Sequence, residues 1–164
     1  MIEENQIIGG WELADAVVWQ SGRPFPVFSG AFTVSNAVQS TANCTSCTPD
    51  MGQVIQESGT NFIFSGAQRA LFSAPAPGEQ GNTGRNFFRG PRFFNMDLTL
   101  RKRFFFSENK NLEFRADVNN LTNTVSFDFP ISTTSFITSS TFGRIRDSVI
   151  SNSRRIQLGV KFNF

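Results

Sequence analysis

From Arg155 to Phe164 the side chains alternate without a miss. Ile156, Leu158, Val160, Phe162 and Phe164 hold one parity, and Arg155, Gln157, Gly159, Lys161 and Asn163 the other. A helix would scatter these residues around its circumference, whereas a strand puts every second one on the same face. The pattern therefore predicts a strand over 154–164. Leu112, Phe114, Ala116 and Val118, set against Glu113, Arg115, Asp117 and Asn119, predict another over 112–120. A third is expected over 94–106, with Met96, Leu98, Leu100, Phe104 and Phe106 opposed to Asn95, Asp97, Thr99, Arg101 and Arg103, and with Lys102 as its misfit. A fourth covers 11–20, where Trp11, Leu13, Val17 and Trp19 share a parity that Asp15 interrupts. The polar stretch from Ser107 to Asn111 reads as a turn. Centred on Asn109, it would set Phe104 opposite Phe114, Arg101 opposite Asp117 and Arg103 opposite Arg115.

Between these strands, residues 21–92 are crowded with Gly, Pro, Asn and Ser and read as a long loop with room for small hairpins. Residues 121–151, rich in Ser and Thr and broken by Pro130, read as another. Long loop, short turn, long loop is the rhythm of transmembrane β-barrels, whose periplasmic turns are short and extracellular loops long. The fold class expected is all-β, with antiparallel amphipathic strands forming part of a transmembrane β-barrel. An arginine facing lipid at the midplane costs about 2 to 4 kcal/mol. Arg101, Arg103, Arg115, Arg155 and Lys161 should therefore face the lumen, along with Asp97, Thr99, Glu113, Asp117 and Gln157. Lys102 lies near a strand end, where the cost falls to about 0 to 1 kcal/mol and its amine can snorkel. A bulge at Phe104 to Phe106 would equally reset the face. The competing reading is a soluble or surface-attached all-β binding or adhesion module, because half-buried sheets of soluble domains carry the same alternation.

Composition narrows the chemistry. The chain has no histidine, which removes Ser-His-Asp and Cys-His relays and imidazole ligation. No catalytic residue, metal site or cofactor is expected, and the chain does not read as an enzyme. Asp97, Glu113 and Asp117 fall on one face among arginines and read as rungs of a charge ladder rather than an acid–base pair. A net charge of +2 over 164 residues is too small for a protein that binds by neutralising phosphates, so no nucleic-acid partner is expected. The arginine- and phenylalanine-rich stretch Gly84–Phe94 reads instead as a loop descending into a barrel wall, with its Phe residues at the lipid interface. No apolar run approaches the roughly 18 to 20 residues of a spanning helix. Met1–Gln6 is acidic and polar, unlike the basic start of a secretory signal. Cys44 and Cys47 lack the context of a redox or zinc motif. They suit a small disulfide in an oxidising, extracytoplasmic loop, or else idle thiols.

Several short motifs, in order, extend the reading: Gly9-Gly10-Trp11 leading to Ser21-Gly22-Arg23-Pro24-Phe25, then Gly81-Asn82-Thr83-Gly84-Arg85-Asn86 with Arg89-Gly90-Pro91. They continue with Asn95-Met96-Asp97-Leu98, Leu112-Glu113-Phe114-Arg115-Ala116-Asp117, Phe142-Gly143-Arg144-Ile145, and Arg155-Ile156-Gln157-Leu158 running to Phe164. Together they resemble the C-terminal end of TonB-dependent outer-membrane receptors of Gram-negative bacteria, of the type with an N-terminal carboxypeptidase-regulatory-like domain. Where such receptors commonly have Phe-Asn, this chain has Asn119-Asn120. The resemblance implies the bacterial outer membrane, a barrel of about 22 strands around a plug, and energised uptake of a large ligand. The implied partners are outer-membrane lipid, the rest of the barrel and plug, a TonB-type energy transducer reached through the missing N-terminal part, and the barrel-assembly machinery. Ile156, Leu158, Val160, Phe162 and Phe164 look like the signal that this machinery reads. About four strands cannot close a barrel, so residues 1–164 alone are expected neither to insert stably nor to transport.

Overall fold

The computed structural model describes residues 7–130, 132–145 and 153–164, which fall into two compact units. The first is formed by Met1–Trp19, Phe94–Val125 and Ser151–Phe164, the second by Gln20–Phe93 and Ser126–Ile150.

The long strands are β1 (Trp11–Gln20), β8 (Phe93–Ser107), β9 (Lys110–Asn119) and β10 (Arg155–Asn163). They form an open sheet in the order β1-β8-β9-β10, so β1 and β10 are its edges among the described residues. β10 runs antiparallel to β9 from Arg155 opposite Asn119 to Asn163 opposite Asn111, pairing even positions with even. The β8–β9 hairpin departs from the register read in the sequence. Glu108 and Asn109 make a two-residue turn, and the register slips between Phe105 and Ser107. Phe106 is thus a bulge that absorbs the mismatch. Phe104 therefore lies opposite Leu112, not Phe114, and Arg101 opposite Arg115, not Asp117. The shift sets Arg103 opposite Glu113 in place of a second arginine. The opposite-charge pairing thus moves from Arg101 to Arg103, and Arg101 and Arg115 become the like-charge pair. β9 is followed by Asn120, which sits at φ 51° and turns the chain out of the strand. Its side chain bonds both N–H and C=O of Thr124, at 3.0 and 3.1 Å, and its own N–H donates to Asp97 Oδ1 at 2.8 Å.

In the second unit, short ladders nest inside one another. β2 (Pro24–Phe25) pairs with β7 (Phe88–Arg89), β3 (Asn43–Cys44) with β6 (Phe72–Ser73), and β4 (Ile55–Glu57) with β5 (Thr60–Phe62). A single helical turn, α1 (Gly66–Arg69), is held by a reciprocal capping box between Ser65 and Gln68. Both long excursions of the chain contribute to one core. Phe25, Val27, Ala42, Ile63, Phe64 and Phe88 come from the first excursion, Phe142 and Ile145 from the second. Phe88 is fully buried, with ring centroids of Phe64 and Phe72 at 5.3 and 5.6 Å. The expected lipid-interface position is thus wrong for Phe88. It packs inward because its neighbours are other phenylalanines brought in by the nested ladders.

Candidate functional site

The strand sheet has two chemically opposite faces, and alternation along each strand decides which residues lie on which. On one face Glu12 of β1 bonds Arg101 at 3.0 Å and Arg103 at 3.3 Å. Glu113 of β9 meets Arg103 at 2.9 Å and Arg101 at 3.8 Å. Two carboxylates on the strands that flank β8 thus bracket its two guanidinium groups. Farther along, Asp117 accepts from Thr99 at 2.7 Å and pairs with Arg115 at 2.7 Å. The register places Gln157 opposite Asp117, Lys161 opposite Glu113 and Arg155 opposite Asn119. Asn163 donates to Asn111 at 2.7 Å. All ten polar wall residues named from the sequence lie on the parity of this face. Asp97 is the member that takes another role: its carboxylate accepts from Asn95 at 3.0 Å and from the Asn120 N–H, organising the end of β9 instead of joining the ladder. Glu12 was missed, although its parity between Trp11 and Leu13 on β1 marked it for the polar face.

The other face is apolar and uncovered. Trp11, Leu100, Phe104, Phe114, Leu158 and Val160 line one continuous surface across the sheet. Exposure decides its nature: Leu158 is 77% exposed, Val160 66% and Trp19 67%. A soluble sheet buries such a face against a second layer. Ile156, Phe162 and Phe164 of the terminal pattern are likewise exposed, and the rings of Phe162 and Phe164 stack at 6.1 Å. Lys102 lies on this face by parity, opposite Phe114. Its stem is buried, its amine donates to the carbonyls of Ile7 and Gly9, and the charge rests over the Trp11 ring at 4.9 Å. The bulge lies beyond it, so the face is not reset at the lysine; backbone carbonyls and the Trp11 ring, not a snorkel to water, hold its charge.

The second unit brings the sequence motifs together. Gly22 and Gly90 pack backbone to backbone; a Cβ on Gly22 would lie 1.7 Å from the Gly90 carbonyl oxygen. The Gly90 N–H donates to Arg23 at 2.9 Å, joining Ser21-Gly22-Arg23-Pro24 to Arg89-Gly90-Pro91. Asn82 acts as a side-chain strand, accepting from Cys44 N at 2.7 Å and donating to Cys44 O at 3.0 Å. Thr83 adds a bond from its hydroxyl to Ala42 O at 2.6 Å. Gly143 O accepts from Ile63 N at 2.8 Å, docking Phe142–Ile145 onto the core. Cys44 and Cys47 are joined by a disulfide, with their Cα atoms 5.8 Å apart. Glu57 pairs with Arg69 at 2.6 Å and accepts from Gly66 N–H at 2.8 Å. The Arg69 guanidinium, and then that N–H, hold its carboxyl below the usual carboxylate range.

Against known proteins, the sequence matches the family described as outer membrane beta barrel domain over residues 4–157. The chain belongs to that family. No curated protein and no solved structure is significantly similar to it. The outer membrane beta barrel domain accounts for what the geometry alone left to be named: an all-β, antiparallel, unclosed sheet with an exposed apolar face belongs to an outer-membrane protein.

Proposed function

We propose that this outer membrane beta barrel domain forms the C-terminal part of the barrel of a TonB-dependent receptor, supplying wall and lumen for energised uptake of a large ligand. The observation that carries the reading is the division of the sheet into a ladder of ion pairs and an exposed apolar face. In a wide barrel the ladder lines water and the apolar face meets lipid. Trp11 and Trp19 stand eight residues apart on the apolar parity of β1. At about 3.3 Å per residue they are separated by about 26 Å, close to the apolar band of about 25 Å that aromatic girdles flank.

The edges of β1 and β10 call for further strands, since each backbone group left unpaired in lipid costs several kcal/mol. Motif order across nearly the whole chain favours a receptor over a simple pore. Both long excursions leave the sheet at the end away from the Glu108–Asn109 turn, which suits an extracellular position, and a disulfide suits an oxidising compartment. Assembly then needs the barrel-assembly machinery, and transport needs the plug and a TonB-type transducer. The test is genetic. Deleting the receptor should reproduce one of the nutrient-limited growth defects of a strain lacking the energy transducer. A defect that persists with the same severity whether or not the transducer is present would leave a passive barrel and refute the receptor.

A further inference from the structure

We propose that Asp15 marks a place where the apolar face of the wall meets protein instead of lipid, and that it meets a cationic side chain on the strand that pairs with the free edge of β1. The proposal rests on the membrane-spanning reading above. Trp11 lines the apolar surface while Glu12 reaches the arginines of the opposite face, so alternation puts Asp15 with Leu13, Val17 and Trp19 on the apolar side. It lies four residues from each tryptophan, about 13 Å from either end of the band. That is mid-depth, where an ionisable side chain is disfavoured and marks a functional contact with a definite partner.

Among the described residues Asp15 is exposed and makes no hydrogen bond or ion pair. Lys102, on the same face, escapes the problem because its long stem lets the amine reach the Ile7 and Gly9 carbonyls. A single methylene gives aspartate no such reach. On the β8 side the residues of this parity from Phe94 to Leu100 offer no donor, and the Lys102 amine is held by the Ile7 and Gly9 carbonyls. The remaining side of β1 is the open edge of the sheet. A strand pairing there would place its outward side chain about 4.5 to 5.5 Å from Asp15. Charge complementarity makes that residue an arginine or lysine.

The experiment compares Asp15→Leu, Asp15→Glu and Asp15→Lys in the full chain in its own outer membrane, reading the folded, heat-modifiable fraction. Asp15→Leu should lower it at least about fivefold by stranding the cation. Asp15→Glu should keep it, and Asp15→Lys should be the worst of the three. An Asp15→Leu variant that folds as well as or better than the parent would overturn the proposal. Leu13→Lys separates the two ideas, because a harmless Leu13→Lys would condemn the membrane-spanning reading itself. A photo-crosslinking residue at Val17 should link within the same polypeptide, without added mass. Linkage to a separate protein or a second copy, or to lipid alone, would overturn the assignment to a neighbouring strand.

Discussion

Phe88→Ala should strongly destabilise the unit built from the two long excursions. Phe88 is fully buried, with the rings of Phe25, Phe64, Phe72 and Phe87 centred 4.9 to 5.8 Å away. Truncating a buried phenylalanine costs about 3 to 5 kcal/mol through lost transfer energy and the cavity left behind. Against a typical domain stability of about 5 to 15 kcal/mol, that removes a large share. In a unit of about 100 residues each kcal/mol moves the midpoint by about 4 °C or more. A fall of at least about 12 °C is expected. Trypsin cleavage at Arg69, Arg85 and Arg89 as temperature rises on intact cells reads it directly. Phe32→Ala is the control: Phe32 is 52% exposed, so the change should stay within about 0.5 kcal/mol. Phe142→Ala, in the other excursion, should match Phe88→Ala because the core is shared. Equal protease profiles for Phe88→Ala and Phe32→Ala would refute the shared core.

Three further outcomes are expected. Gly22→Ala should cost about 1 to 3 kcal/mol, since the added methyl forces the Gly90 backbone away and breaks the bond to Arg23; the same protease assay measures it, and an unchanged profile would show that the two loops do not meet. Glu57 has its folded pKa below the ordinary 4.5, so its contribution is complete above that value and is lost as the pH falls through the folded pKa. The protection of the Arg69 amide against hydrogen exchange, relative to its intrinsic rate at each pH, should therefore fall in acid in the parent, and Glu57→Gln should remove that fall. In intact cells a cysteine at Ser139 should be labelled by an impermeant thiol reagent and one at Asn109 should not, while the opposite pattern would invert the orientation.

The wall was legible because a period of two carries its own geometry. Ile156 to Phe164 fix their faces by parity alone, and so do Arg101, Arg103, Glu113 and Arg115. Parity does not fix register. Moving the partner of Phe104 from Phe114 to Leu112 keeps every side chain on its face, so the bulge at Phe106 left no trace in the alternation. The second unit was the harder case. Phe25, Phe64 and Phe88 sit in Gly-, Pro- and Ser-rich surroundings with no repeat, and they meet across tens of residues through nested ladders. Much of the local order there is side chain to backbone, as in Asn82 gripping Cys44, which hydrophobic patterning does not register. The capping box of Ser65 and Gln68, a hydroxyl three residues before an amide side chain, was missed within the stretch assigned to a loop.

The central claim is that one face of the sheet meets lipid and the other water, and adjacent residues of β10 test it most directly. Leu158 lies mid-strand opposite Ala116 on the apolar face, and Gln157 opposite Asp117 on the polar face. Lysine at Leu158 should cost about 2 to 4 kcal/mol at the midplane, roughly a 30- to 1,000-fold shift in the ratio of folded to unfolded barrel. Lysine at Gln157, next to Asp117, should leave the ratio near that of the parent. The measurement is the heat-modifiable fraction of each variant in purified outer membranes. Loss with Leu158→Lys and retention with Gln157→Lys is the predicted result; equal fractions, or a greater loss with Gln157→Lys, would contradict the wall.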